Sequence, residues 1–354
     1  MRTNFLRCFA PRSLLPALIP ATLLTAVAPC ASALDAGRSE VTGFIDEMSS
    51  RHGFDSRALQ GMFSQVETRQ SIIDAMSRPA EKRLSWDEYR AIFITDRRID
   101  RGHEVAASQS AALGRATASG VPASVILAIV GVETFYGERT GSYRVIDALS
   151  TLAFDYPPRA DFFRKELEQF LLMSREESLD PLRPKGSYAG AMGIPQFMPS
   201  SFRAYAVDGS GDGHRDLWSD WDDVFASVAN YLKVHGWRPG EPVMTTASVQ
   251  GARLDGLEFG SVTLDETVGS LRRRGVSFEA PLPDSAPAVL LRLPGESEPE
   301  HRVGFTNFYV ITRYNRSQLY ASAVSDLADA LGRGAVAAPD PGPRPWSSGP
   351  GTGR

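Results

Sequence analysis

The segment from Val121 to Gly137 constrains the fold of this 354-residue chain more than any other. Pro122 suits the first turn of a helix, where its missing N–H costs nothing, and Gly137 can end one. Between them almost every side chain is apolar, and Glu133 is the only carboxyl or basic group. The segment predicts a helix over residues 122–136 that is largely removed from water.

A carboxyl group taken out of water prefers its protonated form, because the charged form loses its hydration. Glu133 is therefore suited to act as a general acid near neutral pH. Two other interpretations stay open from this segment alone. The side chain can lie on the solvated face of a partly buried helix, or it can pair with a distant arginine.

Residues 1–33 have the pattern of an export signal. Three arginines are followed by a mostly apolar stretch over 14–28, and Ala31-Ser32-Ala33 has the small-x-small form of a cleavage site. Cleavage after Ala33 predicts a periplasmic protein. Lipidation of Cys30 with outer-membrane association is the alternative, but Pro29 directly before the cysteine fits that processing poorly.

Composition excludes several classes of function. Cys8 and Cys30 are the only cysteines and lie in the leader, so the remaining chain has no disulfide, thiolate metal site or cysteine nucleophile. The formal net charge is −4, and removal of the leader's three arginines makes it more negative. With no basic run, nucleic acid is not expected as a partner. We expect a monomer.

Apolar periodicity divides the rest of the chain. Residues 39–235 follow helical spacing, residues 240–312 resemble a small strand-rich insertion, and residues 318–331 return to helical spacing. The tail over 333–354 is rich in proline, glycine and serine and is predicted to be disordered. The predicted fold is mainly α (α+β). Helices are expected near 85–93, 97–118, 122–136, 145–154, 159–174 and from 222, a short one within 257–274, and strands over 243–249, 288–293 and 308–312.

The segment from Gly186 to Ser201 combines glycines and alanines with neutral polar side chains. Small residues allow the backbone to approach a ligand closely, and Ser187, Gln196 and Ser200 offer uncharged hydrogen-bonding groups. Such groups beside a buried acid suit a sugar. A tight helix-packing turn remains an equal alternative.

Oxygen-bearing side chains recur at alternate positions in the run from Asp208 to Trp218. Asp208, Ser210 and Asp212, with Gly213 at the sixth position, have the spacing of a calcium-binding EF-hand loop, and His214 would contribute its backbone carbonyl. Ser219 stands where the closing acid is usual, so Asp222 or Asp220 would have to supply it. A plain acidic turn is the alternative.

These motifs, taken in order, resemble the lytic murein transglycosylase B family. The match runs through Val-Glu-Thr-x-Tyr-Gly, Gly-Ser-x-Ala-Gly-Ala-Met-Gly-x-x-Gln-Phe-Met-Pro-Ser-Ser, Asp-x-Ser-Gly-Asp-Gly-His, Ser-Val-Ala-Asn-Tyr-Leu-Lys and Arg-Tyr-Asn-Arg-Ser, over residues 39–332. The resemblance implies a lysozyme-like helical core with additional helical and strand-containing parts. It also implies cleavage of the MurNAc–GlcNAc bond of peptidoglycan glycan strands without water.

The resemblance also implies roles for individual residues. Glu133 would be the single catalytic acid. A structural calcium site would use Asp208, Ser210, Asp212, His214 and Asp222, and no cofactor is implied for catalysis. Arg159 matches one of a pair of arginines on the peptide-bearing side, but Pro158 occupies the other position. The implied substrate contacts are Tyr89, Arg159, Ser187, Gln196, Tyr231, Tyr314, Asn315 and Tyr320.

A single acid implies an unusual reaction, since ordinary glycosidases use two carboxylates. Glu133 would protonate the glycosidic oxygen and then accept a proton from the C6 hydroxyl of MurNAc, which closes a 1,6-anhydro ring. Glu138 and Asp147 are candidates for a second acid only by proximity in sequence. Two alternatives remain: a hydrolytic muramidase, and a non-catalytic peptidoglycan-binding protein.

Overall fold

The computed structural model describes residues 31–77 and 84–334. Residues 1–30 of the predicted signal peptide (1–33) and residues 335–354 of the predicted disordered tail (333–354) lie outside these residues, whereas 31–33 form a strand and 333–334 end a helix. The helices are α1 Ser39–His52, α2 Ser56–Phe63, α3 Gln70–Ser77, α4 Trp86–Phe93, α5 Asp96–Ser108, α6 Ser110–Ala116, α7 Ala123–Thr134, α8 Val145–Asp155, α9 Ala160–Glu176, α10 Pro199–Tyr205, α11 Trp221–Val234, α12 Val268–Arg273, α13 Thr306–Tyr314 and α14 Gln318–Gly334. The strands are β1 Ala31–Ala33, β2 Glu67–Arg69, β3 Tyr143–Arg144, β4 Lys185–Gly186, β5 Met244–Thr246, β6 Glu266–Thr267, β7 Pro287–Leu293 and β8 Glu300–Gly304.

Helix α7 lies at the centre of the fold, as its apolar sequence predicts. Nine of its twelve residues are buried, including every position from Val125 to Val132. The longest helix of the C-terminal part, α14, packs along it, and α5, α6 and α11 also contact it. A predominantly helical core with small sheets confirms the predicted mainly α (α+β) class.

The strands form three separate antiparallel sheets. β1 pairs with β2, β3 pairs with β4, and the insertion holds a four-stranded sheet in the order β5-β8-β7-β6. The β3–β4 pair places Tyr143 opposite Gly186 and so joins the end of α7 to the glycine-rich segment. The first residues of that segment are therefore fixed next to the central helix.

The predicted strand over Phe308–Thr312 is wrong, because these residues lie within helix α13. Its short apolar run fits a buried helix as well as a strand, and periodicity alone does not separate the two. The strand that pairs with both β5 and β7 is instead β8. Several boundaries also differ: Gln109 interrupts the helix expected over 97–118, α14 continues to Gly334, and the strand expected over 243–249 is limited to Met244–Thr246.

A buried ionic network attaches the sheet of the insertion to two helices of the core. Arg302 on β8 binds Asp326 of α14 at 2.6 Å and Glu300 at 2.6 Å, and its guanidinium lies 5.0 Å from the ring of Trp86. The Trp86 indole N–H donates to Glu300 at 3.0 Å, and Arg90 donates to Asp326 at 2.7 Å. Helices α4 and α14 are thereby held side by side.

Among the described helices, none is by itself long and apolar enough to cross a membrane. Only when taken together do Ser110–Ser119 and Ala123–Thr134 have the length and hydropathy of a membrane-spanning helix. The chain bends by 111° between these two stretches.

Candidate active site

Glu133 lies in the last turn of α7, where the side chain keeps partial access to solvent. The Tyr320 hydroxyl of α14 donates a hydrogen bond of 2.6 Å to its Oε1. Burial raises the pKa of Glu133 to about 7, although the bond from Tyr320 acts in the opposite direction. A substantial fraction of the carboxyl groups is therefore protonated at neutral pH, as general-acid catalysis requires.

Three tyrosines surround this carboxyl group. Tyr89 on α4, Tyr314 on α13 and Tyr320 on α14 all have a raised pKa, first because of burial and second because of the nearby Glu133. The Tyr314 hydroxyl donates to the carbonyl oxygen of Pro195 at 2.6 Å. Predicted residues from two distant parts of the chain, one near residue 89 and one over 314–320, are thus brought together as neutral phenols.

Tyr231 supports this group from behind. Its hydroxyl donates to the carbonyl oxygen of Arg313 at 2.6 Å, and its ring lies 4.8 Å from that of Tyr314. Burial raises the pKa of Tyr231 to about 12. With its hydroxyl bound to backbone, Tyr231 orients the Tyr314 side chain.

The glycine-rich segment is attached directly to the end of α7. The Thr134 hydroxyl donates to the carbonyl oxygen of Ile194 at 2.8 Å and accepts from the Gly137 N–H at 3.0 Å. Gln196 has a positive φ of 53°, and its amide donates to the carbonyl oxygen of Thr140 at 3.1 Å. Sequence reasoning missed Thr134, although it directly follows the predicted acid.

Ser187 and Ser200 have different surroundings. Ser187 accepts the N–H of Ala191 through its Oγ at 3.1 Å, which closes the turn after β4. Ser200 donates to the buried carboxylate of Glu166 at 2.6 Å and fixes the start of α10 on α9. Ser187 therefore remains a candidate sugar contact, whereas Ser200 has a structural role.

The backbone directly after the acid is strained. Phe135 and Tyr136 adopt φ of 52° and 57°, in the left-handed region that non-glycine residues rarely occupy. The guanidinium groups of Arg97, Arg98 and Arg139 lie 4.8, 4.9 and 5.6 Å from the Phe135 ring. These cation–π contacts stabilise the unusual turn, and the sequence alone did not indicate them.

Neither candidate for a second acid is free beside Glu133. Glu138 is bound to Arg97 at 3.2 Å and lies near Arg101. Asp147 is fully buried and binds Arg144 at 2.7 Å. Both carboxylates are therefore paired with arginines. Among the described residues, Glu133 is the carboxyl group that lies among the tyrosines.

Two residues predicted to bind substrate, Arg159 and Asn315, form no described contact with Glu133. Arg159 is exposed at the end of a 3-10 turn and lies 4.4 Å from the Phe162 ring. Asn315 is exposed at the C-terminal end of α13, next to Tyr314. Their contact with substrate stays a prediction.

The predicted calcium ligand Asp222 contacts an arginine in this structure, and its role as a ligand stays a prediction. Its Oδ1 accepts a hydrogen bond of 2.7 Å from Arg115, outside the acidic loop. Asp223 faces the loop instead and accepts the N–H groups of Gly209 at 2.7 Å and Asp216 at 2.6 Å. Successive residues of a helix point about 100° apart, so Asp222 and Asp223 leave α11 in different directions.

The loop itself curls around Asp208. Its carboxylate accepts the N–H groups of Gly211 at 2.6 Å and Gly213 at 2.8 Å, and both glycines have positive φ. Asp212 accepts the N–H of His214 at 2.8 Å. Within residues 31–77 and 84–334, no three acidic or histidine side chains already converge as a metal site.

Removing the Tyr320 hydroxyl is predicted to shift the pH dependence of catalysis. Because that hydroxyl stabilises the charged carboxylate, Tyr320→Phe should raise the pKa of Glu133 above about 7. Activity that needs the protonated acid would then extend to higher pH. The pH profile of kcat/KM measures the position of this alkaline limb, and an unchanged limb would contradict the assignment.

Comparison with known proteins decides the family. The family model described as "Transglycosylase SLT domain" matches residues 36–329. The chain belongs to this family. A curated member, the membrane-bound lytic murein transglycosylase B of Escherichia coli (strain K12), is 44% identical over 298 residues, covering 81% of this chain and 81% of that one.

Solved structures of family members share the fold. The soluble lytic transglycosylase SltB1 of Pseudomonas aeruginosa is 51% identical, with a TM-score of 0.80, over 84% of this chain and 99% of that one. The Escherichia coli lytic transglycosylase Slt35 in complex with calcium is 42% identical, with a TM-score of 0.78, over 85% and 95%. These likenesses confirm the predicted lysozyme-like family fold.

Proposed function

We propose that this protein is a lytic transglycosylase that cleaves the MurNAc–GlcNAc bond of peptidoglycan. The observation that carries the proposal is a single carboxyl group, Glu133, with a pKa raised to about 7 among neutral phenols. Membership of the transglycosylase family supports the same reaction. A protein that only binds glycan strands does not need a carboxyl group with a raised pKa.

Glu133 first donates its proton to the glycosidic oxygen, so that the bond to GlcNAc breaks and GlcNAc leaves as an alcohol. The positive charge that develops at the anomeric carbon faces Tyr89, Tyr314 and neutral groups of the glycine-rich segment. Glu133, now a carboxylate, accepts the proton of the C6 hydroxyl of the same MurNAc. The C6 oxygen bonds to the anomeric carbon and closes the 1,6-anhydro ring, which restores the acid.

The local charges favour cyclisation over hydrolysis. A hydrolytic muramidase of the ordinary kind needs a second carboxylate as nucleophile or base. Glu138 and Asp147 are both held by arginines. The C6 hydroxyl is part of the bound substrate and therefore has a high effective concentration, which removes the need for an activated water.

Incubation of the purified protein with peptidoglycan in ¹⁸O-labelled water tests the reaction. A lytic transglycosylase releases muropeptides that are lighter by one water and carry no label. A muramidase would release reducing ends that contain ¹⁸O, and a binding protein would release nothing. Mass spectrometry of the products separates the three outcomes.

We propose a periplasmic location, reached through the signal over residues 1–33 with cleavage near Ala33. The curated relative is described as membrane-bound, so the alternative of lipidation at Cys30 is tested directly. Fractionation of cells that express the chain and its Cys30→Ala variant should find both in the soluble periplasmic fraction. Release of only the variant from membranes would overturn the proposal.

We also propose a structural calcium ion in the acidic loop. The donor set fits a hard cation, because carboxylate, hydroxyl and carbonyl oxygens of Asp208, Ser210, Asp212, His214 and Asp223 lie on one short loop and the helix that follows it. The relative Slt35 was solved in complex with calcium. Bound calcium would offset the mutual repulsion of these carboxylates.

Calcium at about 100-fold excess over its Kd is predicted to raise the Tm by about 5 °C. Asp212→Ala and Asp223→Ala should remove this increase, because each deletes an anionic ligand. Asp222→Ala is the matched control and should keep the increase, since its carboxylate binds Arg115. Thermal unfolding with calcium and with chelator measures the difference, and equal Tm values in both would contradict the site.

A further inference from the structure

A cavity of about 660 Å³ lies at the start of α14, beyond the tyrosines of the active site. Its charged lining residues are both cations, Arg292 and Arg316, and no carboxylate lines it among the described residues. Phe259, which is 37% exposed, supplies an apolar wall. A purely cationic cavity is unexpected in a chain of net charge −4.

The two arginines are available to a ligand. Both are exposed, and neither forms an ion pair with any residue of the described ranges. Many other arginines of this protein are bound to carboxylates, for example Arg203 to Glu176 and Arg272 to Asp284. Two guanidinium groups facing one cavity present the donor geometry that binds carboxylates.

Gln318 adds a second kind of recognition. It lines the cavity, and its side-chain amide donates to the carbonyl oxygen of Arg292 at 3.2 Å, which holds this neutral polar group beside the arginine. Carboxylates together with amide N–H groups and small apolar side chains are the chemistry of a short acidic peptide.

The cavity lies close to the proposed reaction centre. Ser317, which lines the cavity, accepts the N–H of Tyr320 through its Oγ at 3.3 Å, and Tyr320 in turn binds Glu133. Arg316 directly precedes Ser317 in the chain, so the cavity adjoins the helix end that carries the hydrogen-bond partner of Glu133.

We propose that this cavity, lined by Arg292, Arg316 and Gln318, binds the acidic stem peptide carried by MurNAc. The proposal rests on peptidoglycan being the substrate. Binding of the peptide in this cavity would make the protein selective for strands that carry peptides, and this contact is separate from the one predicted for Arg159.

The test compares turnover of peptide-bearing glycan strands with turnover of strands stripped of peptide by an amidase. Arg292→Gln, Arg316→Gln and the double variant should each raise the KM for peptide-bearing strands, by about tenfold in the double variant. Turnover of stripped strands should stay at the wild-type level. Arg272→Gln is the matched control, because Arg272 is an exposed arginine of the same insertion that binds Asp284 and does not line the cavity.

Equal effects on both substrates, or no effect on either, would overturn the cavity as a peptide site. A selective loss in Arg159→Gln with no change in the cavity variants would also overturn it. If the wild-type protein releases no anhydro product from either substrate, the proposed function itself fails. Melting temperatures of all variants, together with their activity on stripped strands, separate misfolding from a lost contact.

Discussion

Replacing Glu133 with glutamine is expected to lower the release of anhydro muropeptides by about 10³-fold. Glutamine keeps the size of the side chain and accepts the hydrogen bond from Tyr320, but it has no proton to donate to the glycosidic oxygen. It also cannot take the proton of the C6 hydroxyl, so both halves of the reaction fail. Quantitative mass spectrometry of products from purified peptidoglycan measures the loss.

The neighbouring acid provides the control for this substitution. Glu138→Gln removes an exposed carboxylate five residues away that binds Arg97, and it should leave turnover within about twofold. Binding of glycan strands by Glu133→Gln should persist, because the neutral side chains of the cleft are unchanged. Retention of a tenth or more of the wild-type activity would disprove the role of Glu133 as acid and base.

The acid and the glycine-rich segment could be predicted because local sequence patterns indicate them. An apolar run with one carboxyl group admits few structures other than a buried helix, and Glu133 lies on such a helix. The glycine-rich segment was expected near a bound sugar, and Thr134 joins it to the same helix. The tyrosines from distant segments were reached through family resemblance, since no local spacing relates Tyr89 to Tyr320.

Features that depend on tertiary contacts could not be predicted in this way. The contacts of Asp223 with the backbone of the acidic loop follow from how α11 is rotated against that loop, and loop spacing alone cannot give that rotation. The run Phe308–Thr312 is a buried helix, and burial suits a strand equally well, so its local sequence does not decide between the two. The left-handed Phe135 and Tyr136 require three arginines that are remote in the sequence or lie beyond the turn.

The second large effect is expected at Gly141, where the chain turns from α7 into β3. Gly141 has a φ of 97°, and a Cβ at this position would lie 2.0 Å from the carbonyl oxygen of Gly186. The obstructing atom belongs to the backbone of β4, so a rotamer change cannot relieve the contact. Ser187 directly follows that atom, and any displacement of β4 would carry it away from the glycine-rich segment.

Gly141→Ala is therefore predicted to lower the free energy of unfolding by about 4 kcal/mol, because left-handed strain adds to an overpacked backbone contact. Gly236→Ala is the matched control: Gly236 has the same φ of 97°, but nothing lies within 4 Å of its Cβ position. Gly236→Ala therefore measures the backbone strain alone, and it should lower the free energy of unfolding by about 1 kcal/mol. Chemical denaturation of both variants measures the difference. Equal losses would show that β4 moves easily, and the contact between Gly141 and Gly186 would then not fix the position of Ser187.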